Sequence, residues 1–287
     1  MSERPSWIKV RAPTAAEAEE MRRVRDVLRK HRLTTICQGA LCPNAVECWG
    51  ARTATFLLLG DMCTRTCRFC GVPSGDPRGA VDEDEPKRIA DAVEELGLRY
   101  VVLTSVDRDD LPDGGSDLFA KTIRRVSQAH EETRVEALIP DFSGRTHDVE
   151  TILDAAPDVV AHNIETVRRL TQTLRDRRAG YEQSLSVLEH ISRHGGGIRV
   201  KSGLMLGLGE TSSEVDETLR DLYKAGVRIV TIGQYLRPTS HAAPVERFVP
   251  PDEFERIEER ARAIGFSAAI AGPLVRSSYH AAEAFRA

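Results

Sequence analysis

Short apolar runs alternate along this chain with longer stretches whose apolar residues recur at helical spacing. Residues 53–60, 99–106, 134–139, 158–163, 198–206 and 227–234 read as strands. Residues 86–96, 117–130, 146–155, 181–193 and 211–225 fill the gaps as helices. This makes six βα units joined by right-handed crossovers, an α/β chain that predicts an incomplete TIM-type barrel rather than a closed eight-fold one. Before it, residues 15–32 predict a helix capped by Thr14, with Glu17 as its capping-box partner. After it come a helix over 252–264 and a final strand and turn over 266–275. Alternation within 198–206 puts Val200, Ser202, Leu204 and Leu206 on one face and Arg199, Lys201 and Gly203 on the other, which faces the barrel interior. Buried cations need partners, so Arg199 and Lys201 form either internal ion pairs, with Glu136 or Glu165, or contacts to a ligand.

The strand at 53–60 leads into Cys63-Thr64-Arg65-Thr66-Cys67-Arg68-Phe69-Cys70, three thiols in eight residues spaced C-x3-C-x2-C. A loop after a barrel strand lies on the face where active sites are built. Three thiolates can hold three irons of a cubane cluster and leave the fourth open to a ligand. A structural zinc knuckle, the alternative, needs a fourth ligand that the triplet lacks locally. Cys37, Cys42 and Cys48 form a second triplet, C-x4-C-x5-C, in a segment made loop-rich by Gly39 and Pro43. One buried Cys is often only a small hydrophobe, but three so close suggest a metal core, either a second iron–sulfur cluster or zinc with a distant fourth ligand.

Composition narrows the classes. The 287 residues are 41% hydrophobic and 29% charged, with a net charge of −4, which gives no footprint for nucleic acid. All six Cys lie between Cys37 and Cys70, a pattern of metal binding in a reducing compartment rather than of a disulfide framework. No signal peptide and no run long enough to span a bilayer are expected, which points to a cytoplasmic protein without membrane partners. The basic half of the first helix, Arg22 to Arg32, reads as a solvated face or as a docking surface for an acidic protein.

C-x3-C-x2-C with an aromatic residue before the last Cys resembles the radical S-adenosyl-L-methionine (SAM) enzymes. C-x4-C-P-N-x2-E-C-W followed by C-x3-C-R-F-C resembles the lipoyl synthases. So do Thr104–Gly115, His162–Thr166, Lys201–Glu210, Gln234–Pro238 and the closing Arg276-Ser277-Ser278-Tyr279. The resemblance runs from about Cys37 to His280, nearly the whole chain.

It implies a partial (βα)6 barrel at 51–265, an N-terminal extension at 1–50 with the auxiliary cysteine motif, and a C-terminal extension at 266–287, the extensions covering the open end. It implies two 4Fe-4S clusters, one on Cys63, Cys67 and Cys70 that cleaves SAM to a 5′-deoxyadenosyl radical, and one on Cys37, Cys42 and Cys48 that gives up its sulfide. Ser278, or Ser277, would hold the fourth auxiliary iron. Thr104, Ser105, Asn163, Glu165, Lys201 and Gln234 are candidates for SAM contacts. The G-G-E element common after the second strand of radical SAM enzymes is absent, and Thr104-Ser105-Val106 stands there. The implied substrate is an octanoyl group on a lipoyl carrier protein or domain, either the 2-oxoacid dehydrogenase E2 subunit or the glycine cleavage H protein. A ferredoxin or flavodoxin would donate electrons, and an iron–sulfur carrier would supply clusters. The alternatives are another two-cluster radical SAM enzyme, such as an RNA methylthiotransferase, which would carry an added basic domain, and a zinc-stabilised binding module.

Overall fold

Parallel strands buried on both faces are written in sequence as apolar runs, and residues 101–103 and 159–161 of this chain are made that way. The computed structural model describes residues 5–10, 12–39 and 42–286. In chain order the elements are α1 (Ala15–Lys30), β1 (Thr34–Thr35), α2 (Ile36–Gly39), α3 (Ala45–Gly50), β2 (Thr53–Leu58), α4 (Glu85–Leu96), β3 (Tyr100–Ser105), α5 (Ser116–Ala129), β4 (Arg134–Leu138), α6 (Thr146–Leu153), β5 (Val159–Ala161), α7 (Arg168–Leu174), α8 (Tyr181–His194), β6 (Arg199–Leu206), α9 (Ser212–Lys224), β7 (Ile229–Gln234), α10 (Pro251–Ile264), β8 (Ala268–Gly272) and α11 (Ala281–Arg286). The sheet keeps chain order from β1 to β8 and is not closed, so the fold is the expected α/β partial TIM-type barrel.

The chain divides into two compact units. One comprises Ala12–Arg65 and Val72–Val160. There β2 runs parallel to β3 from Thr53 opposite Tyr100 to Leu58 opposite Ser105, and β3 runs parallel to β4. All six residues of β2 are buried. Ile89 and Val93 of α4 and Phe119 and Ile123 of α5 are buried in the same unit's core. The capping box of α1 forms as expected: Glu17 N–H donates to Thr14 Oγ1 at 3.3 Å, and Thr14 N–H to Glu17 Oε2 at 2.8 Å.

The other unit comprises Met1–Arg11, Thr66–Gly71 and Ala161–Ala287. Its strands β6, β7 and β8 pair in parallel. A Cβ on Gly233 would lie 2.1 Å from the Val275 carbonyl oxygen, so only glycine lets the tail pass so close to β7. Beyond that point α11 packs on β8, with Ala284 against Ile229 and Ala268.

Three features depart from the sequence reading. β1 pairs antiparallel to β2 but has only two residues, too few to show a period. The auxiliary segment, expected as loop-rich rather than one long helix, has no long helix but carries two unforeseen short ones, α2 and α3. The seven residues of α7 went unpredicted, because so short a helix carries little periodic signal. Among the described residues no helix is long and apolar enough to cross a membrane.

Candidate active site

Residues 63–65 of the first cysteine loop fall in the first unit and 66–70 in the second. In the first, Cys63 N–H donates to the Pro73 carbonyl at 2.9 Å, and Gly75 N–H to the Cys63 carbonyl at 2.9 Å. Arg65 N–H points at Cys63 Sγ at 3.4 Å. The Arg65 side chain, only 3% exposed, carries this half of the loop. Its Nε and Nη2 fork onto Asp109 at 2.9 and 2.8 Å, and its Nη1 reaches Asp141 at 2.9 Å. Asp107 lies 3.3 Å away. Burial alone would lower the Arg65 pKa, but its hydrogen bonds to Asp109 and Asp141 raise it instead. The same guanidinium holds the Asp109 carboxyl well below the usual carboxylate range. Thr64 Oγ1 adds a bond to Asp109 at 2.8 Å.

In the second unit, Asp176 does the corresponding work. Its carboxylate accepts Thr66 N–H and Oγ1–H at 3.0 and 3.1 Å, and its own N–H donates to Cys67 Sγ at 3.3 Å. Arg178 braces it at 2.8 Å and lowers its pKa. Arg68 N–H donates to the Leu174 carbonyl, and Ala243 N–H to the Arg68 carbonyl, both at 2.7 Å. Phe69 seats the loop against Leu174, Leu208, Tyr235 and Ala243. Tyr235 Oη–H closes this layer on the Ala243 carbonyl at 2.8 Å, and burial pushes its pKa up to about 12. Cys70 is exposed.

The auxiliary thiols are held differently. Cys37 lies on α2 and Cys48 on α3, and Cys42 N–H reaches back to the Cys37 carbonyl at 3.1 Å. Burial raises the Cys37 pKa, and the neighbouring Cys42 sulfur raises it further. Burial, then Cys42 and Cys37, push Cys48 up to about 12. Cys37 is buried and Cys42 and Cys48 are half-buried, and the charge on one sulfur is felt by its neighbours.

Both sets suit iron–sulfur ligation. All six thiols are free of disulfides. Backbone N–H donors point at Cys63 and Cys67, and such hydrogen bonds tune cluster potentials. The auxiliary thiols would be relieved by cations, which take thiols as thiolates. Among the described residues no three His, Cys, Asp or Glu side chains converge on one metal ion. Cubane ligands need not, since each sits on a separate iron.

The candidates for SAM contacts fall into two groups. Ser105 Oγ and Asn163 Oδ1 are buried without a hydrogen-bond partner. Asn163 Oδ1 would lie 2.7 Å from a Cβ on Gly203, so that glycine keeps the amide's space open. Two residues on, Glu165 sits in the left-handed region at φ 67°, a strain that persists where surroundings impose it. Thr104 and Gln234 are more committed. Thr104 Oγ1 donates to the Leu138 carbonyl at 3.0 Å. Gln234 donates to the carbonyls of Tyr235 and Arg247 and accepts Val249 N–H, which pins residues 247–249 to the end of β7. Lys201 is 1% exposed. Arg199, expected beside it in the barrel interior, instead stacks on the Phe285 ring at 4.6 Å and donates to the Phe285 carbonyl of α11. In Gly207-Leu208-Gly209 the N–H groups of Gly207 and Leu208 are taken up by Glu210, to which they donate at 2.7 and 2.9 Å. Ser277 and Ser278 are half-buried in the turn before α11.

Sequence reasoning missed Arg65, Asp141 and Asp176. Arg65 stood inside the triplet and could have been singled out. The two aspartates are placed by long-range contacts that no local pattern announces.

Residues 57–222 match the Radical SAM superfamily. Solved structures with the same fold include HydG, a maturase of the FeFe-hydrogenase, at TM-score 0.58 and 13% identity over 94% of this chain and 73% of that one. Methylornithine synthase (PylB) superposes at TM-score 0.53 and 12% identity, covering 91% of this chain and 79% of that one. The family match, with the cysteine loop inside it, makes the chain a radical SAM enzyme. Among curated relatives it is 53% identical to the lipoyl synthase of Halorhodospira halophila over 97% of this chain and 82% of that protein. It is 54% identical to those of Thermus thermophilus, over 98% and 86%, and Pyrobaculum arsenaticum, over 99% and 96%. The chain belongs to the lipoyl synthase family, as its motifs implied, and is a radical SAM sulfur-inserting enzyme.

Proposed function

We propose that this chain inserts two sulfur atoms, at C6 and C8, into an octanoyl group carried on a lysine of a lipoyl carrier domain, with the sulfur drawn from the auxiliary site at Cys37, Cys42 and Cys48. The observation that carries this reading is the second cysteine triplet, with Cys37 and Cys48 on two short helices and Cys42 between them, none in a disulfide, in a chain already provided with a SAM-cleaving triplet. An unactivated C–H has no acidic proton for a general base, and a reduced 4Fe-4S cluster with SAM supplies hydrogen-atom abstraction in its place.

The chain's own residues hold, orient and shield. Cys63, Cys67 and Cys70 are the ligands of the SAM-cleaving site. Arg65 and Asp176 fix the loop that carries them. Asn163 and Ser105, whose buried oxygens lack partners, lead the candidates for SAM contacts, followed by Glu165, Lys201, Thr104 and Gln234. Ser278 is the reading for the fourth ligand of the auxiliary site, with Ser277 its alternative. A hydroxyl is a weak iron ligand, which suits a site that must open.

The partners are the octanoylated E2 subunit or H protein, a ferredoxin or flavodoxin, and an iron–sulfur carrier, all in the cytoplasm. Turnover of an octanoyl-lysine peptide with SAM and dithionite tests the assignment. Cys67→Ala abolishes SAM cleavage, whereas Cys42→Ala retains some cleavage and makes no lipoyl product. Lipoyl product from Cys42→Ala would remove the donor role.

A further inference from the structure

The chain leaves β2 through two successive left-handed residues, Leu59 at φ 65° and Gly60 at φ 89°, and reaches Cys63 three residues later. Glycine takes this conformation freely, but a branched leucine does not. Both backbone groups of Leu59 are held by buried side chains. Its N–H donates to Glu85 Oε2 at 2.9 Å, and its carbonyl accepts Arg108 Nη1 at 3.0 Å. Arg108 is 2% exposed and is itself fixed by Asp110, on which its Nε and Nη2 fork at 2.8 Å each. The Leu59 side chain fills the space that Gly115 leaves: a Cβ there would lie 2.3 Å from Leu59 Cδ1.

We infer that Glu85 and Arg108 are positioning residues for the SAM-cleaving site, a clamp that imposes the turn at Leu59 and so sets where Cys63 emerges from the sheet. They act through the Leu59 backbone, which they hold at its N–H and its carbonyl. The clamp gives a purpose to Arg108, Asp110 and Gly115 of the 104–115 motif. Burial raises the Glu85 pKa, and the hydrogen bond from Leu59 N–H acts against that rise.

The inference rests on the reading of Cys63, Cys67 and Cys70 as cluster ligands only for its consequence, so the test has one readout that needs no cluster. Amide hydrogen exchange of the full chain, as purified, is followed in the peptide spanning Leu59 to Arg65. Glu85→Ala should speed exchange there at least about tenfold, with peptides of β3 and α5 unchanged. Glu85→Gln keeps an oxygen acceptor for Leu59 N–H and should stay near wild type. Asp110→Asn, which only loosens Arg108, covers the case in which Glu85→Ala fails to fold and should give a rise of about threefold. Unchanged protection of this peptide in Glu85→Ala, or in Asp110→Asn if the former does not fold, would overturn the clamp.

The second readout is iron release to a chelator in a Cys42→Ala background. It should quicken in Glu85→Ala and be restored by Glu85→Gln. A background that binds no iron would count against the ligand reading, and the exchange result would still decide the clamp.

Discussion

The two cysteine triplets are built on opposite principles. Around Cys63 and Cys67 the polypeptide makes its own scaffold: a guanidinium 3% exposed among Asp107, Asp109 and Asp141, an aspartate bonded to two groups of Thr66, and N–H donors on two sulfurs. Around Cys37, Cys42 and Cys48 there are two short helices, and burial, with the neighbouring sulfurs, raises the pKa of Cys37 and Cys48. The first arrangement holds its shape with side chains. The second holds together best when something positive sits among the sulfurs. Under the proposed roles, a ligand set that binds SAM reproducibly gains from a fixed frame, whereas a site that surrenders sulfur gains from one its metal completes.

The contrast can be broken at several points, the largest effect first. Cys67→Ala should reduce SAM cleavage to background, measured as 5′-deoxyadenosine, while Cys42→Ala cleaves SAM without sulfur insertion. Arg65→Met leaves buried carboxylates without their cation and should cost about 3–5 kcal/mol in urea unfolding. Arg65→Lys keeps the charge but loses the fork, so the loss should be smaller.

The auxiliary site should respond to pH instead. Folding raises the Cys48 pKa to about 12, with Cys37 raised as well. The stability they contribute is therefore full below the unfolded thiol value near 9, and is lost as pH rises from there through about 12. The melting temperature of metal-free protein should fall across that window, and Cys48→Ala should flatten the fall. Thr14→Ala removes the cap of α1, the helix that packs on α3, and should cost about 1 kcal/mol without touching SAM cleavage.

The elements with long periods were legible in sequence. β3, β4, β6 and β7, with α5, α6, α8 and α9, lie within a few residues of where the alternation put them. The Thr14–Glu17 box was legible because it is local. What escaped was short or distant. α7 and β1 are too brief to show a period, and the Asp141 and Asp176 contacts span 76 and 110 residues. Arg199 was assigned by strand alternation, which gives a face but not a partner, and its partner is α11. The six thiols were legible at once, because metal chemistry depends on residue type and spacing before it depends on fold.

The measurement closest to the central claim is iron and acid-labile sulfide per chain on anaerobically purified wild type, Cys67→Ala and Cys42→Ala. Two independent 4Fe-4S sites predict about eight irons and eight sulfides in wild type and about four of each in either variant. Zinc without sulfide, under conditions that preserve clusters, would contradict the account.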